Sequence, residues 1–63
     1  MVEVMIEQWK NLDGSVDFLW SVWNAGERVQ MGGAHRTASE AKVAAVDFCR
    51  TRLGLEPDEV TEL

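Results

Sequence analysis

The sequence predicts an α+β domain in which a three-stranded antiparallel sheet, a meander, packs on one C-terminal helix in the order βββα. Three observations predict it. Two early segments alternate apolar and polar residues, the links between the first three segments are short and rich in turn residues, and the hydrophobic period then changes from two to about 3.6.

The first segment, Val2 to about Trp9, places Val2, Val4 and Ile6 on one parity and Glu3 and Glu7 on the other, as in a strand with one face buried. Asn11-Leu12-Asp13-Gly14 is turn chemistry. Ser15 to Trp23 is the clearest strand, with Val16, Phe18, Trp20 and Val22 on one face, all β-branched or aromatic. Asn24-Ala25-Gly26 forms the next turn, and Glu27 to about Met31 reads as a shorter third strand that Gly32-Gly33 ends or bulges. Links this short cannot carry parallel crossovers, so the pairing is antiparallel. From Ala38 to Leu53 the residues are mostly helix formers. Ala41, Ala44, Ala45, Phe48 and Cys49 recur at steps of three and four, while Glu40, Asp47, Arg50 and Thr51 lie opposite. Thr37-Ala38-Ser39-Glu40 fits a capping box in front of this helix, and Gly54 supplies the left-handed position that stops it. Residues 1–55 therefore form the domain and 56–63 an acidic tail, in which Pro57 could open one short helical turn.

Sixty-three residues leave room for one core, and a chain this short buries only about 60% of the surface it exposes when unfolded. It needs extra burial or a staple. Cys49 is the only cysteine, which excludes an internal disulfide, and with His35 and carboxylates it offers a poor ligand set for structural zinc. Self-association remains, so a homodimer is expected. Glu3 and Glu7 interrupt any apolar run that a secretion signal would need. No stretch approaches the ~20 apolar residues of a membrane span. A cytoplasmic protein is the expectation. The net charge is −5, yet Glu56, Asp58, Glu59 and Glu62 account for most of it, because without them six basic groups face seven acidic ones. That balance argues against a simple basic nucleic-acid binder.

One helix covers one face of a sheet. The other face would carry Met5, Trp9, Leu19 and Trp23 among Glu3, Glu7, Asp17 and Ser21. Four large apolar groups there predict an interface, with a second copy or with another protein, unless the tail folds over them through Leu55, Val60 or Leu63. No catalytic constellation accompanies them. Cys49 lies on the apolar side of the helix as a small hydrophobe, His35 precedes the helix, and the carboxylates lack calcium-loop spacing. Gly32-Gly33 precedes a helix without the lysine and hydroxyl of a phosphate loop. No enzyme, cofactor or metal is expected. Arg28, Arg36, Lys42, Arg50 and Arg52 form the alternative: weak contact with nucleic acid, against the simpler reading of ordinary surface charges.

The run Gly14 to Thr37, with Phe18-Leu19-Trp20-Ser21-Val22-Trp23-Asn24-Ala25-Gly26, Val29 and His35-Arg36-Thr37, resembles the YegP-like small bacterial domain, over most of residues 4–53. His35 stands where that family usually has tyrosine, and Ala25 widens its Asn-Gly turn. The resemblance implies this fold and pairing as dimers, and it implies no particular activity. Phe18 to Val22, Gly26, Gly33 and Thr37 to Ala45 also resemble the C-terminal half of double-stranded-RNA-binding domains. That family sets two lysines at the helix start and a third further along against phosphates. Here Ala38 and Ser39 occupy the first two positions, only Lys42 is kept, and a strand replaces the family's N-terminal helix. The strands-then-helix layout is also similar to the HicB-type antitoxin domain.

Overall fold

The computed structural model describes all 63 residues. Strand β1 runs Val2–Lys10, β2 Val16–Asn24 and β3 Glu27–His35; helix α1 spans Ala38–Phe48 and continues as a π-helical turn, Cys49–Leu53; a last strand, β4, spans Glu59–Glu62. The four strands make one mixed sheet in the order β3-β2-β1-β4. β1 pairs antiparallel with β2, and β2 with β3. β4 lies parallel to β1 on its other side.

The architecture is α+β, with one strand more than the three expected. Residues 56–63 read as an acidic tail, either loose or opening one helical turn at Pro57, and in the structure Glu59–Glu62 of this segment joins the sheet. Val4 pairs with Val60, and Val60 is half-buried against the core. Asp58 secures the entry at two points: its carboxylate accepts from the Val2 N–H at 2.7 Å, and its own N–H donates to the Val2 carbonyl at 2.8 Å. The Leu63 N–H donates to the Ile6 carbonyl at 2.9 Å. The tail therefore extends an edge and does not fold over the sheet as a lid. β1 offers it a row of unpaired backbone groups, and that supplies the reason for a strand in so acidic a segment.

The first hairpin turn is held by Asp13, whose carboxylate accepts from the Ser15 N–H at 2.9 Å and its hydroxyl at 2.6 Å. The second is tighter than the sequence suggests. Asn24 and Glu27 pair directly, leaving Ala25 and Gly26 as the two central residues at φ 53° and 82°. Both values belong to the primed turns whose twist matches a hairpin, and an alanine there carries a conformational penalty. β3 is also longer than expected. Its register shifts twice against β2, once near Val29 and once past Gly33, so the glycines bulge the strand and it continues to His35.

Thr37 caps the helix, its hydroxyl accepting from the Glu40 N–H at 3.1 Å, while the Glu40 carboxylate reaches the N–H of Arg36 and not that of Thr37. At the far end Gly54 is left-handed (φ 66°), and the Cys49 carbonyl accepts from both Gly54 and Leu55. The core lies between α1 and one sheet face: Val2, Val4 and Ile6 of β1, Trp20 and Val22 of β2, then Ala41, Ala45 and Cys49. The alanines bring the helix close to the sheet, and the bulk comes from Trp20, which meets Phe48 at 5.7 Å between ring centroids. Across the sheet Trp20 pairs with Gly32, where an added Cβ would sit 2.6 Å from the indole. Glycine at that position is what lets the ring lie along the edge strand.

Candidate interaction face

Strand pleat places odd and even residues of β1 and β2 on opposite faces. With Val4, Ile6, Trp20 and Val22 under the helix, the other face is fixed by the cross-strand partners. One row across the sheet reads Glu59, Glu3, Trp23, Arg28; the next reads Thr61, Met5, Ser21, Met31; then come Glu7 beside Leu19 and Trp9 beside Asp17. No element of the chain lies over these rows.

Met5, Leu19 and Trp23 are half-buried among their neighbours, whereas Trp9 is 58% and Met31 48% exposed. Two contacts set the relief of the surface. The Trp23 indole N–H donates to the Ser21 hydroxyl at 2.9 Å, so the ring leans along its own strand and leaves Ser21 only 6% exposed. Leu19 lies against Gly33, where an added Cβ would stand 2.9 Å from its Cγ. The two glycines thus accommodate one large side chain on each face of the sheet.

The four residues singled out by sequence, Met5, Trp9, Leu19 and Trp23, share this face. Met31 belongs with them and was not singled out, because the bulges in β3 break the alternation that would have placed it. Around them Glu3, Glu7, Asp17 and Glu59 supply four carboxylates, and Arg28 supplies the one cation. Asp17 accepts from the Asn11 side chain at 3.0 Å. None of the four forms an ion pair, since the chain's single salt bridge joins Arg50 and Glu56 at 2.6 Å.

The basic residues are divided. Arg28 stands beside Trp23 on the uncovered face, Arg36 follows β3, Lys42 is on α1, and Arg50 and Arg52 are in the π-helical turn. Arg50 is held by both carboxylate oxygens of Glu56, at 2.6 and 3.2 Å, and this contact raises its pKa. On the helix side an open groove of about 470 Å³ is lined by His35, Ser39, Glu40, Val43, Ala44 and Asp47. Cys49 is fully buried, and desolvation, followed by the charge of Glu56, pushes its thiol pKa up, opposite to the shift of a reactive thiolate. No three His, Cys, Asp or Glu side chains gather as metal ligands. No helix is long and apolar enough to cross a membrane. No family model matches this chain, and no curated protein or solved structure matches it either.

Proposed function

We propose that this chain is a small protein-interaction module that works through the uncovered face of its sheet. The observation that carries the reading is the apolar set Met5, Trp9, Leu19, Trp23 and Met31 with no element of the chain over it. A contiguous apolar set that no element of the chain covers is the kind of surface at which interaction sites occur. Aromatic and methionine side chains are also the types enriched where interfaces bury their centres. The occupant is a second copy of the chain or another protein. A homodimer has a further route in β3, whose outer edge is unpaired over nine residues. The alternative, weak binding of nucleic acid through Arg28, Arg36, Lys42, Arg50 and Arg52, does not have its five residues on one surface, because Arg28 stands on the opposite side of the sheet from Lys42.

The test uses Leu19→Asp and Trp23→Ala, each measured for its urea midpoint and for association, by light scattering over a dilution series and by titration with amphipathic peptides. An interaction face gives variants within about 1 kcal/mol of wild-type stability that no longer associate. Variants that unfold would assign the face to the fold itself. Association that survives both changes would place the interface elsewhere.

A further inference from the structure

The uncovered face sets carboxylates among its apolar side chains, three of them on β1 and β4 and one, Asp17, on β2. Glu3 stands between Glu59 and Trp23, Glu7 beside Leu19, and Asp17 beside Trp9. Against these four carboxylates the face sets Arg28 alone, so it carries three more negative than positive groups, and none of the five is ion-paired within the chain. Glu59 comes from the acidic C-terminal segment and the other three from a body that is close to neutral in composition, so the face gathers negative charge from both.

We infer that the occupant of this face is a protein segment carrying lysine or arginine beside its apolar side chains, and not a second copy of this chain. The inference rests on the interaction reading above and narrows it. Stacking two copies face to face would confront eight carboxylates with two guanidinium groups. Glu3 and Glu7 lie on the central strand β1 and flank Met5, so they would enter the middle of such an interface, not its wet rim. A carboxylate desolvated without a partner is strongly penalised, and like charges brought together suppress a wrong partner. A cationic partner converts the same groups into attraction. The layout also sets the partner's pattern. Trp23, Leu19 and Met31 on β2 and β3, continued by Met5 on β1, take its apolar stripe, and Glu59, Glu3 and Glu7 on the β1–β4 side take most of its cations, with Asp17 at the far end of β2. An amphipathic helix with one basic shoulder fits that division. A homodimer then has only the edge of β3 available to it.

The experiment titrates the intact chain with three helical peptides of roughly 18 residues. Their apolar stripe is leucine in all three, and their polar positions are lysine, glutamine or glutamate. Calorimetry gives the affinity, and the Trp23 indole N–H resonance reports the site. The lysine peptide is expected to bind at least about tenfold tighter than the glutamate peptide at low salt, with the gap closing as salt rises. Glu3→Lys/Glu7→Lys should reverse the order. Glu40→Lys/Asp47→Lys, which changes net charge equally on the helix side, should leave the order unchanged. Equal affinity for all three peptides, or a dimer at neutral pH that Leu19→Asp dissolves, would overturn the inference while the interaction reading stands. A lysine preference that both double variants alter alike would also overturn it, as attraction to net charge alone. If no peptide binds and Leu19→Asp changes no association, the inference and the interaction reading fall together.

Discussion

The two faces of the sheet are built by the same strands and differ in what lies against them. On the covered face Val4, Ile6, Trp20 and Val22 meet the small side chains of α1, and every large group has a counterpart. On the uncovered face Met5, Leu19, Trp23 and Met31 are just as apolar and meet only one another and the charges around them. Both carry a tryptophan, and the rings are used differently. Trp20 is buried against Phe48 and the backbone of Gly32, whereas Trp23 lies along its strand with its N–H on Ser21. Residue type alone therefore does not tell a covered position from an uncovered one here. What separates them is whether the chain supplies an opposing element.

The largest expected contrast is between these tryptophans. Trp20→Ala should cost about 3–5 kcal/mol, enough to unfold a domain of this size. Trp23→Ala should cost about 1 kcal/mol and leave a cooperative urea transition. Similar losses from both would break the distinction. Phe48 belongs between them, because it is half-buried and not enclosed, so Phe48→Ala should cost about 2 kcal/mol, below the usual range for a core phenylalanine. Removing residues 57–63 comes next. It takes Val60 from the core and Glu59 from the uncovered face together, and roughly 2–3 kcal/mol should be lost in chemical denaturation. A truncated chain as stable as the full one would show that β4 serves only the open side. Gly32→Ala, which presses a methyl group onto the Trp20 indole, should cost about 1–3 kcal/mol.

The smallest effect concerns the titratable group within the buried set, Cys49. Burial first, and Glu56 second, raise its thiol pKa, so the folded state keeps its proton at pH values where the unfolded chain releases it. That contribution is fully present below the unfolded pKa and is lost as pH rises above about 9. Thermal midpoints should fall along that limb, and Cys49→Ala should flatten it.

Much of this arrangement is readable in the chain. Val2, Val4 and Ile6 alternate cleanly, Phe18 to Val22 can be little but strand, and Thr37 and Gly54 mark a helix that begins and ends where their chemistry requires. The uncovered face emerges from counting layers, which is how Met5, Trp9, Leu19 and Trp23 come together from the residues alone. The rest depends on tertiary context. β4 is four residues in an acidic segment, too short to show a period, and it forms because β1 has a free side. Met31 could not be assigned to a face, because the register shift at Val29 reverses the parity of the residues beyond it, and Arg28 could not because its place depends on the tight turn before it. The Ala25-Gly26 turn was hidden by a conformation that alanine seldom adopts.

The β1–β4 pairing joins Val4 to Val60 across most of the chain. The hairpins and the helix are local in sequence, but the sheet is completed only by its last strand. Until Glu59–Glu62 docks, β1 presents a free edge beside a tryptophan-rich face. Contacts so distant in sequence also form late and slowly. A chain in which β4 has not docked is therefore the form most prone to sticking to its neighbours, and β4 acts as a closing stitch whose timing matters as much as its strength.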